Sequence, residues 1–194
     1  MEFADILQKR RTIRLFQQKK VEKNDIAALI DAARLCSCAM NKQILRYAAV
    51  TEKNMLKKIF DGTMWAAMVR PHRTPVWGES APDWFIVIHG PQENEASYVK
   101  FDVGAAVMSM EFKAQELGFG CCWLGSFQHD EVKDLLKLDD SRRVYAVVAV
   151  GYPAEEPQYK NISANENQSY YLDENKRLTV PKYTVEALTS FYED

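Results

Sequence analysis

Three features of this sequence predict one mixed domain of helices and strands. Two near-continuous apolar runs, residues 84–89 (WFIVIH) and 144–150 (VYAVVAV), each end at a glycine followed by a proline or Tyr-Pro and read as buried strands. Residues 98–117 form the longest helical pattern, with Val103, Ala106, Val107, Met110, Phe112, Ala114 and Leu117 covering more than one face. Such a helix sits centrally or is buried against a second subunit. At 194 residues the chain is long enough to close one real core, and it shows no internal repeat, low-complexity tract or second domain.

The remaining elements follow in order. Phe3, Ile6 and Leu7 share one helical face, so residues 2–9 read as a short opening helix. Next comes a basic arm, Arg10, Arg11, Thr12, Ile13 and Arg14, closed by Leu15 and Phe16. Its guanidinium forks and hydroxyl suit a phosphate or another planar anion. If extended, it puts Arg10, Thr12 and Arg14 on one side and Arg11 and Ile13 on the other. The plainer reading is a solvated basic run after a helix.

Asn24 is the expected N-cap of a helix over 25–35, whose apolar positions are Ile26, Leu29, Ile30 and Ala33. Residues 36–43 are small and polar and break that pattern, and residues 45–51 read as a strand. A helix over 55–60 ends at Asp61 and Gly62. Residues 63–82 are irregular, yet they hold Trp65, His72, Trp77, Arg70, Arg73 and three prolines. A loop of that composition and length reads as a substrate lid, or as a roof over the core. Gly118 and Gly120 stop the long helix, and a short helix is expected over 130–136. From residue 155 the chain turns polar and lacks the side chains for a core of its own. Residues 180–182 and a short helix with Val185, Leu188 and Phe191 give it an apolar tip, expected to dock on a neighbouring subunit.

Composition narrows the function classes. With 47% hydrophobic and 27% charged residues the chain is globular, and its net charge of −2 gives no reason to expect a nucleic-acid partner. Residues 9–20 are the exception, six cations and no acid, which fits a local anion site. No apolar run is long enough to span a bilayer, and the first residues lack the basic and apolar regions of an export signal, so no membrane partner and a cytoplasmic location are expected. Cys36, Cys38, Cys121 and Cys122 are then reduced thiols. Their spacings, one intervening residue or none, do not match a zinc site, and no metal is expected. His72, in the lid, is the histidine of interest; His89 ends a strand and reads as structural.

Five stretches in this order resemble the FMN-dependent nitroreductase family. They are residues 10–16 (RRTIRLF), 38–43 (CAMNKQ), 102–106 (DVGAA), 117–125 (LGFGCCWLG) and 149–153 (AVGYP), and the ending Val180, Pro181, Lys182 looks like the tail of short bacterial-type members. The resemblance implies an α+β fold of three layers, α/β/α, around a small mixed or antiparallel sheet. It also implies an intertwined homodimer with the C-terminal arm, 155–194, exchanged between subunits and an FMN at each interface. Carried over residue by residue, Arg10, Arg11, Thr12 and Arg14 would hold the flavin phosphate and pyrimidine edge, with Lys182 as a second cation on the phosphate. Cys38, Ala39, Met40, Asn41 and Gln43 would line the ring from the partner subunit, and Leu124 and Gly125 would offer backbone groups near N5. Trp65, His72 and Trp77 would belong to the lid. The chain departs from the family pattern at Ser37 and Cys38, where proline and serine often stand, and at Ile44 and Leu45.

The implied activity is hydride transfer from NADH or NADPH through flavin N5 to an electron-poor small molecule, a nitroaromatic or quinone, by a ping-pong cycle. No side chain need act as acid or base, because the cofactor carries the chemistry. Three rivals remain: a specialised enone or dehalogenating reductase on the same fold, a flavin-binding sensing module without turnover, and an anion-binding structural protein.

Overall fold

The computed structural model describes residues 2–92 and 98–193. Its centre is an antiparallel sheet in the order β1-β2-β4-β3, made of β1 (Arg46–Val50), β2 (Trp84–Pro91), β3 (Gly120–Leu124) and β4 (Arg142–Gly151). The two apolar runs are the middle strands β2 and β4, which explains why neither alternates: both of their faces are covered. On one face, Phe85, Val87, Val147 and Ala149 pack with Val50, Ile59, Leu124 and Val132. On the other, Ile86, Ile88, Val148 and Val150 pack with Leu29, Val103, Val107 and Met110.

Helices α2 (Lys23–Arg34) and α4 (Val99–Leu117) cover the second face; α3 (Lys53–Asp61), the 63–82 segment and α5 (His129–Leu135) cover the first. The fold is therefore the expected three-layer α+β arrangement. The long helix is buried along one side, while Phe101 stays 74% exposed and Gly104, Ala105 and Met108 remain partly open. Part of one face of α4 thus stays open among the described residues, although its sequence reads as apolar nearly all round.

Two local expectations shift. Helix α2 starts at Lys23 with Glu22 in the cap position and no side-chain cap bond, so Asn24 lies inside the first turn. The polar stretch after residue 155 also forms strands. β5 (Gln158–Ile162) pairs in parallel with β7 (Leu178–Tyr183), and β6 (Tyr171–Leu172) pairs antiparallel on the other side of β7. Backbone pairing supplies most of this small sheet, with Ile162 and Leu178 as its buried anchors, so hydrophobic patterning gave little sign of it. Beside β5–β7 runs the N-terminal arm: Tyr159 of β5 stacks with Arg11, and Tyr170, just before β6, with Arg14. Helix α6 (Val185–Leu188), Phe191 and Tyr192 stay exposed.

The basic arm follows α1 (Phe3–Lys9) and runs along the sheet edge. Thr12 bridges Cys121, and Phe16 bridges Pro153. Two glycines make the close approach possible. A Cβ on Gly120 would lie 2.6 Å from Ile13 Cγ1, and one on Gly151 would lie 2.8 Å from Phe16 Cδ1. Both partners are buried, Phe16 completely. Gly120→Ala is expected to push Ile13 off the edge of β3 and cost about 1–3 kcal/mol. Urea unfolding would measure the loss, and full retention of stability would show that the arm is not seated in this hollow.

Candidate functional site

Every backbone N–H from Ile13 to Gln17 has a partner, which fixes the arm as an extended rail. Ile13 donates to the Cys121 carbonyl at 2.9 Å, Phe16 to Ser80 at 3.0 Å and Gln17 to Tyr152 at 2.8 Å. Arg14 and Leu15 donate to one Glu155 carboxylate oxygen at 2.5 and 3.1 Å.

The side chains divide as the extended reading predicts at Ile13, which faces the core. Arg10, Thr12 and Arg14 are half-buried. Arg10 Nη1 lies 2.8 Å from Glu111 Oε2 on α4; burial pushes the Glu111 carboxyl up, and Arg10 pulls it back down. Arg11 is buried. Its Nη1 donates to the carbonyls of Leu7, at 3.4 Å, and Arg10, its guanidinium lies 4.7 Å from the Tyr159 ring centre, and its Nε makes no hydrogen bond. Desolvation, then the neighbouring Arg10 charge, lowers the pKa of Arg11. Arg14 lies 5.2 Å from the Tyr170 ring centre. At the far end of the same strand edge Leu124 is buried, while Gly125 is exposed and a Cβ there would meet nothing within 4 Å. The arm and the Leu124–Gly125 backbone therefore share one strand, with cations at one end and accessible peptide groups at the other.

Residues 38–43 form a second, separate feature. Ala39–Asn41 make one 3-10 turn, and Met40, Asn41 and Gln43 hold positive φ values of 51°, 53° and 48°. Such conformations cost non-glycine residues about 1–2 kcal/mol each and cluster at functional sites. Asp102, buried at the start of α4, accepts the Ala39 N–H at 2.9 Å, while its other oxygen has no partner. Gln43 Nε2 donates to Asn41 Oδ1 at 3.3 Å. Cys36, Cys38, Gln43, Tyr47 and Asp102 line a cavity of about 170 Å³. Burial, helped by the Cys36, Cys38 and Asp102 charges, pushes the Tyr47 hydroxyl up to about 12. The loop is tied to α4 at Asp102 and the arm at Glu111, nine residues on, which is about 13–14 Å along the helix axis.

A model of the nitroreductase family matches residues 7–152, a span that takes in the arm, the loop, α4 and the whole central sheet. The chain belongs to the nitroreductase family. A relative in Archaeoglobus fulgidus, provisionally named NADH dehydrogenase/NAD(P)H nitroreductase, is 26% identical over 164 residues, covering 81% of this chain and 89% of that protein. Among solved structures, an FMN-dependent nitroreductase from Clostridium difficile superposes with a TM-score of 0.66 at 22% identity, over 80% of this chain and 90% of that one. A protein of Desulfovibrio desulfuricans, provisionally named a nitroreductase and solved in complex with FMN, gives 0.64 at 22% identity, over 80% and 88%. At that identity these two structures speak to the fold.

Within this nitroreductase fold the 63–82 segment packs as a roof at Trp65, which is buried in the core cluster with its Nε1 unpartnered. Phe60 stands beside both indoles, with ring centres 5.9 Å from Trp65 and 5.3 Å from Trp77. Trp77 is half-buried, and His72 is exposed. Arg73 turns inward instead, its Nε 2.8 Å from Glu155 Oε2. Lys182 is exposed on β7 opposite Asn161, two positions beyond the residue that pairs with Tyr159. Sequence reasoning missed four groups that hold these segments: Asp102, Glu111, Glu155 and Arg73. As the one charge in the apolar stretch 103–112, Glu111 carried a usable signal, and Asp102 stood in one of the family-like motifs. Nothing local marks Glu155 or Arg73.

Among the described residues no group of three or more His, Cys, Asp or Glu gathers where it could hold a metal ion. All four cysteines are free thiols. Cys121 and Cys122 are buried in the sheet, and desolvation raises both, Cys122 to about 12. The thiolate is the reactive form. A maleimide or iodoacetamide pulse at pH 8 is therefore expected to label only Cys36 and Cys38 in the folded protein and all four thiols in urea, read by peptide mass spectrometry. Rapid native labelling of Cys121 would contradict this packing.

Proposed function

We propose that this chain is a subunit of a homodimeric, FMN-dependent oxidoreductase fed by NADH or NADPH. The observation that carries this reading is the seated arm: guanidinium forks and a hydroxyl fixed on a strand edge that ends in open backbone at Gly125. Family membership supports it, as do the two fold neighbours whose descriptions name FMN.

The residues fit such a cofactor. Its phosphate is a dianion suited to the forked donors of Arg10, Arg11 and Arg14, the Thr12 hydroxyl and the Lys182 ammonium. The unpartnered Arg11 Nε is a donor still available for this purpose. Positive charge from the arm also favours an electron-rich flavin edge. Leu124 and Gly125 present peptide groups without a side chain in the way. When bound, FMN supplies hydride transfer at N5, from the nicotinamide to an electron-poor acceptor such as a nitroaromatic or quinone, in ping-pong order. The protein's own part is position, charge and the exclusion of water.

In the homodimer the loop of Cys38, Ala39, Met40, Asn41 and Gln43, anchored well along α4 from the arm, completes the partner's site, a reading that family membership supports. The exposed face of α4 at Phe101 and Gly104, with Met40 beside the loop at 72% exposure, is the surface that the partner covers. Trp77 and His72 stand at the outer side of the 63–82 segment, where an acceptor would enter.

The first test is an absorption spectrum of the purified protein, supplied with FMN and then with NADH or NADPH under nitrogen. Flavin bands that bleach, and parallel initial-rate lines with a quinone, are expected. Stable bands that neither nicotinamide bleaches would favour a binding module, and no uptake of FMN would end the cofactor reading. Arg14→Gln is expected to weaken FMN binding about tenfold or more, the loss of one charge-assisted pair, measured by quenching of flavin fluorescence.

A further inference from the structure

Glu155 lies two residues beyond the Gly151-Tyr152-Pro153 turn, and its side chain is only 4% exposed. A carboxylate so deep stays charged only when it is paired and hydrogen-bonded. Here Oε1 is hydrogen-bonded, whereas Oε2 is held by an ion pair without hydrogen-bond alignment. Oε1 accepts the N–H groups of Arg14 and Leu15, and Oε2 lies 2.8 Å from Arg73 Nε. Arg73 in turn donates from Nη2 to the Lys176 carbonyl at 2.7 Å and from Nη1 to the His72 carbonyl at 3.1 Å. One buried carboxylate thus joins the arm, the 63–82 segment and the C-terminal sheet.

The placement on the arm is specific. The N–H groups on either side, from Ile13, Phe16 and Gln17, are held by main-chain carbonyls of the sheet and its flanking loops. Arg14 and Leu15 are the two positions where no carbonyl reaches, and the carboxylate replaces it. Without it, two consecutive donors would lose their partner at the residue whose side chain serves the anion.

We infer that Glu155 is the positioning residue of the cofactor site: it sets the backbone at Arg14, and its pairing with Arg73 links that setting to the docking of the 63–82 segment. This rests on the FMN reading above. Its geometric half, however, can be measured without flavin.

The experiment compares wild type, Glu155→Ala and Glu155→Gln by amide hydrogen exchange of the apoprotein and by FMN titration. In Glu155→Ala, exchange at Arg14 and Leu15 is expected to speed up at least tenfold while Ile13 and Gln17 keep their protection, and the FMN Kd should rise about tenfold. Glu155→Gln keeps a carbonyl oxygen for the two donors and should restore most of the protection and affinity, a rescue that bulk destabilisation would not give. Unchanged exchange at Arg14 and Leu15 would overturn the inference. So would faster exchange with unchanged FMN affinity, which leaves Glu155 a structural brace. If Glu155→Ala does not fold, Glu155→Gln decides alone: protected amides with wild-type affinity support the role, and wild-type affinity with lost protection overturns it. Failure of wild type to take up FMN would remove the cofactor reading itself, and this inference with it.

Discussion

The seating of Ile13 and Phe16 against Gly120 and Gly151 is the contact on which the site depends. An arm with three arginines repels itself and has little reason to lie flat on a sheet. It does so because two apolar side chains bury in hollows that any Cβ would fill, and because the sheet edge offers carbonyls in register. The guanidiniums are then presented from a rigid edge, their positions settled before the proposed anion would arrive. That ordering cost is met by folding rather than by binding.

Charge balance follows from the same arrangement. The chain is almost neutral overall, yet six cations fall within residues 9–20. The structure answers with acids from distant segments: Glu111 from α4 against Arg10, and Glu155 against the arm backbone and Arg73. Each is more than nine-tenths buried at the side chain, where an ion pair is strong but leaves a costly orphan if one partner is removed. Asp102 does the same for the 38–43 loop through a single backbone N–H. Both segments of the proposed site are thus irregular chain held by buried carboxylates on or beside the regular core.

How much of this was legible depended on whether the signal was local. The middle strands β2 and β4 were visible because covering both faces forces a continuous run of apolar residues, and α4 because its apolar pattern extends beyond the face it buries. The arm and the loop were visible because arginines, a hydroxyl and side-chain amides cluster there. The β5–β7 sheet was not, since it is held by backbone pairs that any polar sequence can make. Asn24 looked like a cap, but the helix begins two residues earlier, with Glu22 in the cap position just after the buried Val21. Glu155 and Arg73 lie 141 and 59 positions from Arg14, a separation no periodicity reports. Trp65 illustrates the opposite limit: its residue type fits a lid or a core equally well, and only burial separates the two.

The left-handed turn at Met40, Asn41 and Gln43 has a further consequence, for the ease of improving this protein. Three side-chain-bearing residues in a conformation that glycine adopts freely represent several kcal/mol of stability set aside. A glycine at any of them would relax the backbone and raise the melting temperature, yet it would remove a group that faces the ring in the proposed site. Selection for thermal robustness and selection for turnover therefore pull this short loop in opposite directions. Stabilised versions of the protein are safer sought elsewhere, on α2, α3 or the outer face of β5.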